Sequence, residues 1–387
     1  MSDNVSKFEP NPGRALRKKI LIFVLIFVLV AAVVALYVFR DRLNLDAARR
    51  FVRYLGVQTD QTSGSFTFDS HNANQYADFQ GGLAVASVSG LSVYESSGKE
   101  TAVVQAKMET PALRTGGKLA MAFDVGGNHL VAVTQSGAQV LDLTTQRPIF
   151  DADCASDGSI CYASAETGYK TVLYVYDGSQ NMTYRWLSAS QYMPICAISA
   201  GAKYLAAVSL GQQDGMFVSN LHIFKTASDD AGLTADLGND LIYDLTFMDG
   251  DTLCAVGETG AQWLDLNGAC LASYPYNGAH LKDFDFGGDG FLALIVNMYK
   301  AGNHYTVSTV DKTGTELGSA QFDVQILDFS AAGNYLAVLT AEKLCIYDST
   351  MTPYFEQTNT KSATNVIMRA DGSAVLLGGG RGEIVLP

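Results

Sequence analysis

The sequence predicts an all-β fold: an eight-bladed β-propeller built from four-stranded antiparallel blades, with seven blades as the alternative. The first observation is a pattern repeated eight times between residues 79 and 377. Each copy has an apolar or aromatic residue, a turn rich in Gly or Asp, and a short strand of the Leu-Ala-Val type. The copies begin at Phe79, Phe123, Ala155, Ile198, Phe247, Phe286, Phe329 and Met368. The second observation is the period, which for most copies is roughly the 40–45 residues of one propeller blade.

The repeat also predicts the order of strands within a blade. The aromatic residue marks the innermost strand, the Leu-Ala-Val run the second, and a strand ending near an acid, such as the one at 173–177, the third. The predicted second strands start at Leu83, Leu130, Ile160, Leu205, Leu253, Leu292, Leu336 and Val375. The step from Leu130 to Ile160 is short, so the second blade is expected to have only Pro148–Asp151 as its outer strand.

The two ends of the repeat region predict how the ring closes. The last copy ends at Pro387 after three strands, and Ser65–Phe68 (SFTF) precedes the first copy. We therefore expect Ser65–Phe68 to supply the fourth strand of the last blade, which removes an exposed sheet edge.

The segment before the repeats predicts a membrane anchor. Residues 20–39 form a run of twenty residues without a charge, long enough to cross the hydrocarbon core as a helix. A cleaved signal peptide is the main alternative, but its apolar region is usually shorter and no small-x-small cleavage site precedes Arg40. The organisation we expect is a basic tail at 1–19, a transmembrane helix at 20–39, an amphipathic stalk helix at 40–57, a linker at 58–64 and the propeller at 65–387.

The distribution of charge bears on the orientation of the protein in the membrane and on the kind of partner it binds. Arg14, Arg17, Lys18 and Lys19 favour a cytoplasmic N-terminus, whereas five arginines between 40 and 53 lie on the other side of the span. We expect a cell-membrane protein with an extracytoplasmic propeller, and a cytoplasmic propeller is the alternative. Residues 1–60 carry ten basic and five acidic residues, which leaves sixteen basic and thirty-four acidic residues in the remainder. Such an acidic domain repels nucleic acid.

A resemblance to a known family rests on one long stretch. The sequence GYKTVLYVYDGSQNMTYRWLSASQYMPICAISAGAKYLAAVSL (Gly168–Leu210), the following DGMFVSNLHIFK and the stalk RRFVRYLG resemble single-pass membrane proteins of Gram-positive bacteria. These proteins carry a β-propeller of unknown function, within the wider class of WD40-like and quinoprotein-like propellers. The resemblance brings no catalytic residues. The Gly-His and Trp-Asp marks of WD40 repeats are missing, as is the Trp-bearing repeat of quinone-dependent dehydrogenases.

Acidic residues are the main candidates for a functional site. Two copies share an Asp-x-Asp pair followed by an Asp-Gly turn, the type of oxygen-rich arrangement that Ca²⁺ prefers. These weak metal candidates are Asp151, Asp153, Asp157, Asp283, Asp285 and Asp289. The loop lacks the spacing of an EF-hand, and Asp-Gly is also a common hairpin turn. Asp78, Asp244 and Asp328 are assigned to other innermost strands, so the central channel is expected to be acidic.

Other residue types give weaker signals. Tyr184, Trp186 and Tyr192 gather around one long outer strand, either as a binding surface or, more commonly, as packing between blades. The six cysteines contain no C-x-x-C pair, and Cys154 and Cys161 flank one hairpin turn where they are possible neighbours. The five histidines have no metal-ligand spacing.

Two functions fit these observations. The first is a membrane-tethered, extracytoplasmic propeller that binds a protein or an envelope polymer and has no catalytic activity or cofactor, apart from a possible structural calcium. The alternative is an envelope hydrolase or dehydrogenase that uses the acidic channel. The absence of a G-x-S-x-G, P-loop or H-E-x-x-H motif favours the first. Partner identity and oligomeric state have no signal in the sequence.

Overall fold

The computed structural model describes residues 65–228, 230 and 232–387, which form eight four-stranded antiparallel sheets. The prediction of an eight-bladed propeller is therefore confirmed over the seven-bladed alternative. The predicted tail, transmembrane helix, stalk helix and linker lie outside the described residues. Among the described residues, no helix has the length and hydropathy of a membrane span.

The first half of the ring contains blades 1 to 4, and each blade is given from its innermost to its outermost strand. The first described strand, β1 (Ser65–Thr67), belongs to the last blade. Blade 1 has β2 (Gln75–Ala77), β3 (Leu83–Ser87), β4 (Gly90–Tyr94) and β5 (Glu100–Gln105). Blade 2 has β6 (Pro111–Gly116), β7 (Leu119–Asp124), β8 (His129–Thr134) and β9 (Gln139–Thr144). Blade 3 has β10 (Ile149–Cys154), β11 (Ile160–Glu166), β12 (Tyr169–Tyr176) and β13 (Met182–Ser188). Blade 4 has β14 (Tyr192–Ile198), β15 (Tyr204–Gln213), β16 (Met216–Lys225) and β17 (Leu233–Asp236).

The second half continues the same order. Blade 5 has β18 (Ile242–Phe247), β19 (Thr252–Gly257), β20 (Gly260–Asp265) and β21 (Cys270–Pro275). Blade 6 has β22 (His280–Asp285), β23 (Phe291–Asn297), β24 (Tyr305–Asp311) and β25 (Glu316–Phe322). Blade 7 has β26 (Ile326–Ala332), β27 (Tyr335–Thr340), β28 (Leu344–Asp348) and β29 (Pro353–Gln357). Blade 8 has β30 (Asn365–Met368), β31 (Ala374–Gly378), β32 (Arg381–Val385) and then β1. A 3₁₀ turn at Ala200–Ala202 follows β14.

Blade 2 departs from the predicted strand order. The run that begins at Leu130 lies in β8, the third strand, and the second strand is β7, whose residues are all buried. Pro148–Asp151 is not an outer strand, because Ile149 begins the innermost strand of blade 3. The prediction that the second strand starts at Leu130 was wrong because both β7 and β8 are apolar runs, and composition alone does not separate a second strand from a third. The step from Leu130 to Ile160 is short because it runs from the third strand of blade 2 to the second strand of blade 3.

The ring closes as the sequence predicts. Strand β1 pairs antiparallel with β32 in the register Ser65↔Glu383, Phe66↔Gly382 and Thr67↔Arg381. Phe66 is fully buried in a cluster that joins blade 8 to blade 1. The two ends of the propeller are thereby held together by both backbone hydrogen bonds and apolar packing.

The core lies between blades. One cluster packs Ala84 and Ala86 of blade 1 against Ala120 and Ala122 of blade 2, and the following blades meet through similar clusters. The second strand of each blade is covered on both faces, so its sequence is continuously apolar instead of alternating. Small alanines at these positions allow neighbouring sheets to approach closely.

Antiparallel pairing fixes which loops share a face. The innermost strand of every blade begins at one face of the ring, which we call the top face. The connections from the previous blade and the hairpins between second and third strands also lie there. The hairpins between first and second strands lie at the opposite, bottom face.

Candidate functional site

Four blades place an aspartate at the same point of the innermost strand. The register of pairing with the second strand shifts by one residue just before Asp151, Asp244, Asp283 and Asp328. Each aspartate follows the same short pattern, an apolar residue and one skipped residue, as in Ile149-Phe150-Asp151. A bulge of this kind re-aims the side chain that follows it. The innermost strands therefore carry equivalent carboxylates around the central channel.

Several of these carboxylates join one blade to the next. Asp151 accepts a hydrogen bond from the backbone N–H of Cys196 at 3.0 Å. Asp328 accepts one from the N–H of Val366 at 2.8 Å. In each pair, the acid lies on an innermost strand and the donor lies in the following blade. Such bonds satisfy one carboxylate oxygen and fix the spacing of adjacent blades.

The second aspartate of each Asp-x-Asp pair has the same role. Asp153 accepts from the N–H of Ile198 at 3.0 Å. Asp285 accepts from Ala331 at 2.8 Å and, with its other oxygen, from Gly287 at 2.7 Å. Burial raises the pKa of Asp153, and the backbone N–H groups of Ile198 and Cys154 oppose that shift.

The turn aspartates lie at the bottom face. Asp157 accepts from the N–H of Gly201 in blade 4 at 2.9 Å and from the hydroxyl of Ser159 at 3.0 Å. Asp289 donates its own N–H to the carbonyl of Gly333 at 2.8 Å. In the described part of the chain, no three His, Cys, Asp or Glu side chains come together in an arrangement able to hold a metal ion. The calcium hypothesis stays a prediction, and four of its six aspartates use one carboxylate oxygen to join neighbouring blades, namely Asp151, Asp153, Asp157 and Asp285.

Arg114 divides the channel into two halves. It lies on β6 of blade 2, and its guanidinium donates to Asp244 of blade 5 at 3.0 Å and lies 3.9 Å from Asp151 of blade 3. Blades 2 and 5 are not neighbours, so the contact crosses the channel. We call this side the closed half. Asp244 and Asp151 are the main opposite charges that raise the pKa of Arg114, whereas burial raises the pKa of Asp151 against the influence of Arg114.

The remaining part of the channel is a cavity of about 840 Å³, which we call the open half. Its walls come mainly from blades 6, 7, 8 and 1, with Thr115 of blade 2 across the axis. Asp283, Asp285, Asp328 and Asp78 line it. Its rim includes the loop at 70–74 and the turn at 378–379, both of which lie on the top face.

Three of the four carboxylates that line the open half have no basic partner among the described residues. Within 65–228, 230 and 232–387, no lysine or arginine forms an ion pair with Asp283, Asp285 or Asp328. Burial raises the pKa of Asp285 to about 6 and that of Asp328 to about 7. Burial also raises the pKa of Asp283. A cation placed here would lower the pKa of all three carboxyl groups. The open half therefore favours a positively charged group.

Asp78 differs from its neighbours because the seam between blades 8 and 1 supplies a cation. The guanidinium Nε of Arg369 lies 3.0 Å from Asp78, and its Nη2 donates to the carbonyl of Gly82 at 2.9 Å. The Arg369 side chain is 1% exposed and also lies over the ring of Phe66. Asp78 therefore helps to close the ring and also lines the cavity.

The aromatic candidates separate into two groups. Tyr184 and Trp186 pack on Phe224 of blade 4, and both belong to the core between blades 3 and 4. Tyr192 is 43% exposed and lines a second cavity of about 350 Å³ at the top face, between blades 3 and 4. The structure thus favours packing for the first two residues and leaves Tyr192 accessible.

Two features were missed from the sequence. Arg114 has no motif around it, and only the three-dimensional ring brings it to the channel. The apolar-x-Asp pattern was detectable, since it recurs at 149–151, 242–244, 281–283 and 326–328. The cysteines also differ from expectation: Cys161 lies beside Cys196 of the next blade, with the two sulfur atoms 3.6 Å apart, and is not paired with Cys154.

Comparison with known proteins places the chain in a family. The model of the Family of unknown function (DUF5711) matches residues 53–378. The chain belongs to this family. The match agrees with the resemblance to propellers of unknown function, and it carries no statement about membrane anchoring or bacterial source. No curated protein matches the chain.

Solved structures give the fold of the family member. The C-terminal WD40 domain of Sif2 is 13% identical, has a TM-score of 0.56, and the match covers 84% of this chain and 98% of that one. The WD40 repeats of RRP9 are 8% identical with a TM-score of 0.47, covering 69% and 87%. Apo AztD from Citrobacter koseri is 10% identical with a TM-score of 0.47, covering 74% and 85%. The likeness to Sif2 establishes a WD40-like propeller fold, although the WD40 sequence marks are absent.

Proposed function

We propose that the protein is a membrane-tethered, non-catalytic binding module whose propeller lies outside the cytoplasm and holds a basic side chain of a protein partner in the open half of the channel. The observation that carries the proposal is the cavity of about 840 Å³ lined by Asp283, Asp285 and Asp328. Arg114 is a precedent for such binding, because its guanidinium already pairs with an equivalent carboxylate in the closed half. Arginine is suited to such a site because its planar donors match carboxylates in pairs.

The surface around the cavity favours a protein partner. Hairpin tips on the top face expose Met298 and Tyr299 of blade 6, both at 60%, and Met216 and Phe217 of blade 4 at 52% and 53%. Aromatic side chains and methionine are enriched in protein interfaces. A partner would gain apolar contacts at these tips while its basic side chain enters the acidic channel.

Tethering is supported by the sequence alone. The uncharged run at 20–39 and the basic residues at 14–19 favour an anchor with a cytoplasmic N-terminus. Protease added to cells stripped of their wall should digest the propeller. A propeller that stays intact until the membrane is permeabilised would contradict the extracytoplasmic placement.

A site-specific photocrosslinker tests the binding role. In the full chain in intact cells, a crosslinker at Asn72, an exposed residue on the cavity rim, should capture a partner. The same crosslinker at Asn267, in a bottom-face turn, should not. Asp283→Asn with Asp328→Asn should abolish capture at Asn72.

The matched control removes two acids elsewhere. Glu100 and Asp142 are exposed on the outer strands β5 and β9. Glu100→Gln with Asp142→Asn removes the same two negative charges and should leave capture unchanged. If both double variants lose the partner, overall charge is responsible; if neither does, the open half is not the site.

A further inference from the structure

The second cavity lies in a groove between blades 3 and 4, about 350 Å³ in volume and separate from the channel. One side is the hairpin formed by the two ten-residue strands β15 and β16. This hairpin extends beyond the outer strand β17, since β17 pairs with Asn220–Ile223 of β16. The other side is the connection that leads into β14. The volume lies in the range of small-ligand sites.

Tyr192 forms an aromatic wall of this groove. The pairing of β14 with β15 shifts between Tyr192 and Ile195, so Met193 is fully buried while Tyr192 stays 43% exposed. Phe150 holds the tyrosine ring edge-on, with centroids 5.1 Å apart at 69°. An exposed ring whose plane is fixed by a neighbour is a stacking platform, because its negative face attracts the polarised C–H groups of a ligand.

The polar lining is nearly uncharged. Gln191, Gln213 and Asn220 contribute amide groups, and Lys170 is the one side chain charged at pH 7 among the residues that line the cavity. Each amide both donates and accepts hydrogen bonds, which matches hydroxyl groups that do the same. A lining of amides with no carboxylate and a single lysine favours a neutral polyhydroxylated ligand over a charged one.

The floor of the groove is held by a hydrogen-bonded chain. Ser209 Oγ lies 2.8 Å from Nε2 of His222, and Thr234 Oγ1 lies 3.0 Å from Nδ1 of the same ring. His222 is 4% exposed, and burial lowers its pKa, so its imidazole is neutral at pH 7. These hydrogen bonds fix the strand positions from which Gly211 and Asn220 face the groove.

Gly211 is the most informative residue of the groove. Most glycines in the described strands have no room for a side chain, as at Gly90, Gly116 and Gly318, where a Cβ would lie 1.9–2.4 Å from neighbouring backbone atoms. A Cβ added at Gly211 would meet only the carbonyl oxygen of Val218 at 3.8 Å. Glycine weakens a strand interior and often marks close approach of a ligand. Among the described residues, no neighbouring atom is close enough to require glycine at this position.

We infer that this groove is a binding site for a neutral saccharide, with Tyr192 stacking on the sugar ring, the amides bonding its hydroxyls and Gly211 leaving room for it. The site is separate from the open half of the channel, so the two proposals stand or fall independently.

Calorimetry on the full chain, in a detergent without a sugar headgroup, tests the inference. The probes are neutral tetrasaccharides of glucose, mannose and N-acetylglucosamine, with inorganic phosphate and a tetra-alanine peptide as comparisons. At least one tetrasaccharide should bind. Tyr192→Ala should weaken that binding by about ten-fold or more, whereas Tyr243→Ala, at a tyrosine 45% exposed on the top face of blade 5, should leave it unchanged.

The blocking variant is Gly211→Val. Valine is favoured in strands and its side chain would project into the groove, so binding should be lost while the melting temperature is unchanged or higher. The inference is overturned if no tetrasaccharide binds, if only phosphate or the peptide binds, or if Gly211→Val binds as the wild type does. Asp283→Asn with Asp328→Asn should have no effect here.

Discussion

In one half of the channel Asp151 and Asp244 face the guanidinium of Arg114, whereas in the other half Asp283 and Asp328 face a cavity of about 840 Å³. All four aspartates follow the same bulge on an innermost strand. Their position in the blade therefore does not decide their role. The difference is a single basic side chain on β6, which forms ion pairs with Asp151 and Asp244 and makes none with Asp283 or Asp328.

The comparison also separates structural carboxylates from accessible ones. Asp151 and Asp328 both accept a backbone N–H from the following blade, so each joins blades irrespective of its half. Among the described residues, the N–H of its neighbour Phe284 is the one donor to Asp283, at 2.9 Å, and Asp283 is exposed to the cavity. A carboxylate at the same position can thus be retained for packing, for binding or for both.

The largest expected effect is at the seam beside the open half. Arg369→Met leaves Asp78 without its buried cation, and breaking such a pair costs about 3–5 kcal/mol. The melting temperature of the full chain should fall by several degrees. Arg185→Met, which breaks an exposed pair with Glu166, should cost about 1 kcal/mol or less. Equal effects of the two variants would contradict a structural role for the seam.

The next effect is at the bridge across the closed half. Arg114→Met leaves Asp244 and Asp151 facing each other without a cation. The Arg114 side chain is 39% exposed, so the expected loss is about 2 kcal/mol, less than at the seam. Asp244→Asn added to Arg114→Met should recover part of the loss, because the second variant removes an unpaired charge. Strictly additive losses, measured by chemical denaturation, would argue against the bridge.

The pH dependence of stability distinguishes the two halves more finely. Burial raises the pKa of Asp328 to about 7, far above its value in the unfolded chain. The folded state therefore binds the proton more tightly, and the stability linked to Asp328 is fully present below about pH 4 and is lost as the pH rises to about 7. Asp328→Asn should match the wild type at pH 4 and exceed its melting temperature at pH 8. Asp244→Asn should lower the melting temperature at pH 8, because it leaves Arg114 without its main partner. Equal pH slopes for wild type and Asp328→Asn would show that Asp328 does not carry the effect.

The smallest expected effect on folding is at Asp283. Asp283→Asn removes an exposed carboxylate whose one hydrogen bond is local, so stability should change by about 0.5 kcal/mol or less. Capture of a basic partner should nevertheless weaken. A large loss of stability, measured by thermal melting, would place Asp283 among the structural carboxylates instead.

The fold was largely predictable, and the site was predictable only in part. Eight apolar runs and the three-strand ending at Pro387 were sufficient for blade number and for closure by Ser65–Phe68. Blade 2 was misread because β7 and β8 are both apolar. The acidic channel was predicted from Asp78, Asp244 and Asp328. Its division into two halves was not predicted, because Arg114 contacts Asp244, which lies 130 positions away in the sequence. Contacts between blades that are not neighbours leave no local pattern.

The most direct test is whether the open half binds a guanidinium. The full chain in detergent is titrated with acetyl-Gly-Arg-Gly-amide and with the same peptide carrying neutral citrulline in place of arginine. We expect the arginine peptide to bind at pH 8 and the citrulline peptide not to bind. Binding should weaken at pH 5, as Asp285 and Asp328 take up protons. Asp283→Asn with Asp328→Asn should abolish binding, and Glu100→Gln with Asp142→Asn should preserve it. Equal binding of both peptides, or binding that survives the loss of Asp283 and Asp328, would contradict the account.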